Sequence, residues 1–239
     1  MWCKWGEKMV DVIYEDNHVL VCLKPQNIPT QADESKDPDM LNMVKNYIKE
    51  KYKKPGNVYV GLVHRLDRPT GGVMVFAKTS KCASRLSKQI QSKEFQKKYL
   101  TVVCGMPKYE TDKLVHYLKK DTKENKVTIV PSSIDGAKRA ELEYKVIENY
   151  NNQLSLVEVN LFTGRSHQIR VQMSSIKTPI FGDSKYGGDI VKNQKLSLWA
   201  YSLSFLHPVS NQKMTFTVCP PVDNLPWRYF EKTIKQICK

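Results

Sequence analysis

No stretch of the sequence is apolar for the roughly 20 residues that a membrane-spanning helix needs. Its first residues, Met1-Trp-Cys-Lys-Trp-Gly-Glu-Lys8, lack the apolar centre of a secretory signal, so a cytoplasmic protein without a membrane partner is expected. Cysteine is sparse and scattered at Cys3, Cys22, Cys82, Cys104, Cys219 and Cys238, with no Cys-x-x-Cys pair and no histidine at metal spacing. That pattern argues against a zinc or disulfide framework and for free thiols in a reducing compartment. The Gly-x-x-x-x-Gly-Lys order of a phosphate-binding loop is missing. No cluster of acids suits a pair of catalytic metal ions. Internal repeats and low-complexity linkers are absent too. Acidic residues are the scarce sign: 24 Asp and Glu face 38 Lys and Arg, a formal charge of +14. Clustered cations release counterions when they neutralise phosphates, so this excess favours a polyanionic partner. Solvated lysines also serve solubility, and charge alone does not decide.

What remains is a globular composition, 41% hydrophobic and 26% charged over 239 residues, enough to bury a core. Met9–Tyr14 and Val19–Leu23 read as strands around a Glu-Asp-Asn-His turn. Asp39 is a candidate N-cap for a helix with Met40, Met43, Val44, Tyr47 and Ile48 at helical spacing. Val58–Val63 and Gly72–Lys78 read as strands, and Ser80 as the cap of a second helix. Strand patterns follow at Tyr99–Cys104, Leu114–Leu118, Val127–Val130, Ala140–Ile147, Leu154–Leu161, Leu198–Leu206 and Lys213–Cys219. Lys119–Lys126 suits a solvated hairpin tip, and Ser166–Ser175 a third helix. In the tail, Phe230, Ile234 and Ile237 share one helical face. Many strands with few helices predict an α+β fold, a mainly antiparallel mixed β-sheet core with flanking helices, as one domain over 1–239.

Three segments carry chemistry. In Gly61-Leu-Val-His-Arg-Leu-Asp-Arg-Pro-Thr-Gly-Gly72, a strand runs into a loop holding Asp67 between Arg65 and Arg68. Nearby positive charge favours the ionised carboxylate. A turn whose Asp caps a backbone amide fits that pattern equally well. Leu161-Phe-Thr-Gly-Arg-Ser-His-Gln-Ile-Arg-Val171 crowds Arg165, His167, Gln168 and Arg170 at a helix start, which suits an anion or simply a basic surface. Pro179-Ile-Phe-Gly-Asp-Ser-Lys-Tyr-Gly-Gly188 is a Gly-rich loop with one acid, Asp183.

Together these segments are more specific than any one of them. His64-Arg-Leu-Asp-Arg-Pro-Thr-Gly-Gly72 resembles the signature of RluA-type pseudouridine synthases. Leu23-Lys-Pro25, Lys97-Lys-Tyr99 with Gly105, Thr163-Gly-Arg-Ser-His-Gln-Ile-Arg170, Pro179–Asp183 and Leu198–Pro208 resemble the family's other motifs in the same order. Two departures stand out: Gly71 where the family usually has Ser, and Asn27 where it has Gly. The pattern begins almost at Met1, so the resemblance is to a compact form without the small basic RNA-binding domain of many relatives.

The resemblance implies the pseudouridine synthase catalytic fold and isomerisation of uridine to pseudouridine in structured RNA, ribosomal or transfer. The enzyme breaks the bond between uracil and ribose, turns the base and rejoins it through carbon, on a nucleotide extruded from its stack. It implies Asp67 as the catalytic carboxylate, adding covalently to the sugar or acting as a base, two routes that stay open. Arg165 is then its ion-pair partner, and Tyr99 lies against the uracil and assists loss of its ring proton. Arg65 would fill the gap left by the flipped base. Arg68, Lys24, Lys97, Lys98 and Arg170 follow as phosphate contacts. His64 and His167 are read as structural, no metal or organic cofactor is called for, and a monomer suffices. Two competitors are a non-catalytic RNA-binding or RNA-folding protein on the same fold and a glycoside hydrolase pairing Asp67 with Asp183. Retention of Asp67 and Tyr99 counts against the first, and the positive charge against the second.

Overall fold

A computed structural model describes residues 10–187 and 194–239 of the chain, so Met9, which begins the first expected strand, and Gly188 lie outside the described residues. The chain divides into two compact units, residues 10–95 with Leu203–Phe216 and Gln96–Ser202 with Thr217–Lys239.

In the first unit, β1 (Asp11–Glu15) and β2 (Val19–Lys24) form an antiparallel hairpin. Asp16 builds its turn by accepting the His18 and Val19 amides at 2.7 and 2.8 Å. Helix α1 (Met40–Lys51) starts where expected: Asp39 accepts the Asn42 amide at 3.1 Å, and Met40, Val44 and Ile48 are buried. Such a cap contributes about 1 kcal/mol. The expected strand Val58–Val63 narrows to β3 (Gly61–Leu62), which pairs with Ala77 and Phe76 of β4 (Gly71–Ala77). Every residue of β4 is buried, because β2 pairs along it from Val19↔Ala77 to Lys24↔Gly72 while β3 covers its far end. The cap of α2 (Ser80–Gln91) is Thr79 rather than Ser80, its hydroxyl accepting the Cys82 amide at 3.2 Å.

The second unit carries a longer antiparallel ladder of β5 (Gln96–Cys104), β6 (Thr111–Asp121), β7 (Lys126–Val130), β8 (Lys138–Tyr150) and β9 (Leu154–Leu161). Its pairings run β5–β9, β9–β8, β8–β6 and β6–β7, so short turns join β6 to β7 and β8 to β9. The charged stretch Lys119–Lys126 is the tip of the β6–β7 hairpin, with Asp121 opposite Lys126. Helix α3 (Gln168–Ser175) contributes Val171 to a core cluster with Leu118, Val127 and Ala140, and Tyr186 packs against it. It begins after His167, whose φ of 50° ends the turn in the left-handed region. Strand β10 (Leu198–Leu206) leaves the second unit after Ser202, and β11 (Lys213–Thr217) crosses back after Phe216. The tail forms a 3-10 turn over Trp227–Phe230 and then α4 (Glu231–Ile237), burying Trp227, Phe230 and Ile234. All described strand pairings with a printed register are antiparallel, as the sequence pattern predicts.

Candidate active site

Asp67 lies half-buried in the loop between β3 and β4, and that loop is held from beneath by side chains of the segment after β2. The Thr30 hydroxyl, buried, donates to the Leu66 carbonyl at 2.8 Å and accepts the Leu66 amide at 3.2 Å. The Asn27 amide donates to the Arg68 carbonyl at 2.8 Å, and Gln26 Nε2 to that of Pro69 at 3.0 Å. Asn27 does this with φ at 65°, the left-handed region that asparagine tolerates better than most residues, so it keeps the geometry a glycine would give. The Thr70 amide closes a tight turn on the Asp67 carbonyl at 2.9 Å. His64 Nε2 accepts the Val75 amide at 3.2 Å.

Lys24 departs from its expected place at a phosphate. It is 0% exposed, and its ammonium donates to the carbonyls of Pro25, Arg68 and Thr70 at 3.0, 3.1 and 2.7 Å. All three donors are engaged inside the protein, and no RNA phosphate reaches them. Burial pushes its pKa down to about 7, with Arg68 adding to the fall and the attraction of Asp67 opposing it. Lys24 is therefore a hydrogen-bonded strut under the Asp67 loop. Arg68 turns away to Asp37, with Ser35 Oγ at 2.9 Å and Asp33 at 3.6 Å. Arg65, one residue before buried Leu66, is exposed and makes no hydrogen bond or ion pair among the described residues.

The second unit positions Tyr99, Lys97, Lys98, Arg165 and Arg170. Tyr99 sits on β5 opposite Val159 and is 5% exposed. Alternation along the strand turns Lys98 to the other face, where it meets Glu158 at 3.1 Å. Lys97 shares the face of Tyr99, and its Nζ would stand 3.2 Å from a Cβ built on Gly164. Desolvation lowers the pKa of Lys97.

The turn Thr163-Gly164-Arg165 is fixed by Gln168 at the start of α3. Gln168 Oε1 accepts the Arg165 amide at 3.0 Å and the Thr163 hydroxyl at 2.8 Å, while its Nε2 donates to the Glu141 carbonyl at 3.1 Å. Arg165 is exposed, with Nε donating to the Arg139 carbonyl at 3.1 Å. Arg170 also departs from its expected phosphate role. Its side chain is 5% exposed, and its fork grips both oxygens of fully buried Asp183 at 2.7 and 2.8 Å. That pair ties α3 to the Pro179–Asp183 loop. His167 meets the Tyr186 hydroxyl at 2.8 Å through Nδ1.

The loop supports Thr30, Asp33 and Asp37 escape a sequence reading, because their contacts span 31 to 36 residues. The one available signal is an acidic stretch, Asp33-Glu-Ser-Lys-Asp37, within a strongly basic chain.

Comparison with known proteins joins this geometry to the motifs. Residues 18–175 match the model of the RNA pseudouridylate synthase family. The chain is 32% identical over 232 residues to an uncharacterized RNA pseudouridine synthase of Bacillus subtilis, covering 95% of this chain and 74% of that one. It is 31% identical to ribosomal large subunit pseudouridine synthase D of Zymomonas mobilis, covering 90% and 70%. It is 30% identical to tRNA pseudouridine synthase C of Haemophilus influenzae, covering 87% and 92%. Among solved structures, human RNA pseudouridylate synthase domain containing 4 superposes with a TM-score of 0.74 at 21% identity, over 95% of this chain and 92% of that one. On the family match and the relatives' identity over most of their length, the chain belongs to the RNA pseudouridylate synthase family, whose enzymes isomerise uridine in RNA.

Proposed function

We propose that this RNA pseudouridine synthase acts through Asp67 on uridines of ribosomal or transfer RNA in the cytoplasm, as a monomer. The observation that carries the reading is the Asp67 loop itself. Its backbone is pinned on both sides of the carboxylate, at Leu66 by Thr30 and at Arg68 and Thr70 by Lys24. A reacting group held this way needs little reorganisation when the substrate arrives.

Arg165 orients the carboxylate, and Tyr99 lies against the uracil and assists removal of its ring proton, roles implied by the family likeness. A phenol suits that double task because it joins a stacking face to a polar tip. Arg65, exposed and uncommitted, fills the stack vacated by the extruded nucleotide, since a planar guanidinium can lie on neighbouring bases and reach phosphate.

The test is pseudouridine mapping by carbodiimide labelling. RNA from cells lacking the gene is compared with RNA from cells rescued by wild type or by Asp67→Asn. Expected are sites that vanish on deletion and return only with wild type, while purified Asp67→Asn still binds the RNA. Equal rescue by Asp67→Asn removes Asp67 from the chemistry. A map unchanged by deletion, together with purified protein that converts no uridine, favours an RNA-binding protein without catalysis.

A further inference from the structure

The fold treats its inward-pointing lysines in two ways. Lys24 is surrounded by three carbonyl oxygens, and Lys78, 8% exposed, reaches Glu15 at 2.7 Å and the Asp16 carbonyl. Both ammonium groups are fully provided for, as a charge withdrawn from water must be. Lys97 is the exception. It is half-buried on β5, has no hydrogen bond or ion pair among the described residues, and carries a pKa lowered by desolvation.

Its position is also unusual. Two residues before Tyr99 on the same strand, it points to the same side of β5 as that tyrosine. Its Nζ lies where the turn before Arg165 has no side chain, since a Cβ on Gly164 would stand 3.2 Å away. Glycine there leaves the ammonium beside backbone rather than beside a side chain. A cation that is partly desolvated, lacks a protein acceptor and sits between Tyr99 and Arg165 in this unit is set up for an anion brought by the substrate.

We propose that Lys97 seats a backbone phosphate of the RNA beside the uridine being isomerised, a role that rests on the functional reading above. A strand lysine laying its methylene stem over neighbouring side chains is the alternative. The two differ in what the charge does. If only the stem matters, methionine replaces lysine without loss. If a phosphate binds there, charge loss weakens RNA binding and removes about one ion from the salt dependence.

The experiment compares wild type, Lys97→Met and Lys97→Arg on one RNA that wild type modifies, with binding measured over a salt series. Expected for Lys97→Met is a KM for RNA raised about tenfold or more, the scale of one charged hydrogen bond, with a smaller change in kcat. Its slope of log affinity against log salt should be shallower by about 0.7–0.9. Lys97→Arg should recover much of both, and the melting temperature of Lys97→Met should equal or exceed that of wild type, because an uncompensated cation has left a half-buried site. Wild type should also lose RNA affinity at alkaline pH in a way that Lys97→Met does not. Wild type that forms pseudouridine while Lys97→Met matches its KM and salt slope overturns the phosphate seat and leaves the activity standing. Wild type that modifies no RNA overturns the functional reading, and the seat with it.

Discussion

Thr30 holds the Asp67 loop through two hydrogen bonds to a single residue, and replacing it by valine tests whether that grip matters. Valine keeps the branched shape and removes only the hydroxyl. Thr30 is 4% exposed and Leu66 6% exposed, so water does not replace the lost partner. The Leu66 carbonyl and amide would then both be stranded, after accepting and donating at 2.8 and 3.2 Å. Each buried orphan costs about 1–3 kcal/mol, and the longer amide contact belongs at the low end. A destabilisation of about 2–4 kcal/mol follows, or roughly 4–16 °C in melting temperature for a chain of this size. Catalysis should suffer as well, because a loop shift of about 1 Å at a reacting group can cost about a hundredfold. The assay is a thermal melt with single-turnover pseudouridine formation for wild type, Thr30→Val and Thr30→Ser. Serine keeps the hydroxyl and loses one methyl, so it should cost about 1 kcal/mol and retain most activity. The reasoning fails if valine is as stable and active as wild type, or if serine is as damaging as valine.

Arg170→Met should lower stability by about 3–5 kcal/mol, because it strands the Asp183 carboxylate, whose side chain is 0% exposed. A phosphate-contacting arginine would instead leave the melt intact and flatten the salt dependence of RNA binding, so the two measurements together decide its role. Glu15 should make folding acid-sensitive. Burial alone would raise its pKa, but hydrogen bonds from Lys51, Lys78, Tyr52 and Tyr47 outweigh that and hold it down to about 2. A depressed carboxylate stabilises the fold above its ordinary pKa of 4.5 and loses that contribution as pH falls toward 2. The contribution is at most about 3 kcal/mol, lessened by solvent around the exposed Lys51. Urea midpoints from pH 6 to pH 2 should show the gap between wild type and Glu15→Gln closing with acid; a constant gap refutes the assignment.

The strands were the legible part of the fold. Leu154–Leu161 and Leu198–Leu206 occupy the residues that their patterns mark, because alternating or continuous apolar runs state directly which face is buried. Helix starts were less legible. Thr79 and Ser80 are both good caps, and only the bond to Cys82 identifies the first. At α3, Gln168 reaches back into the preceding turn, a contact that helix spacing does not announce. The expected strand Val58–Val63 shortens because only Gly61 and Leu62 find partners on β4, with Gly61 pressed so close to Ala83 that a Cβ would lie 2.8 Å from it. Alternation does not reveal a partner that close.

Charge was the least legible feature of the site. A count of +14 treats every lysine and arginine as available to RNA. Lys24 and Arg170 are internal cations that fix a loop and a helix, while Arg68 and Lys98 already face Asp37 and Glu158. Each stands within a motif that resembles the family, yet motif membership does not separate a residue that touches substrate from one that shapes the protein. Burial together with acceptor count does separate them. A buried cation ringed by carbonyls or a carboxylate belongs to the scaffold, whereas a desolvated cation without an acceptor has a place left for one. By that criterion, Arg65, exposed and unpaired, and Lys97, half-buried and unpaired among the described residues, are both left for RNA. The first can follow a mobile base at the surface, and the second is confined to one position beside Gly164. Substitution of Arg65 should therefore disturb many RNAs by similar factors, while loss of Lys97 should penalise most those RNAs whose backbone must bend to bring a phosphate to that fixed point.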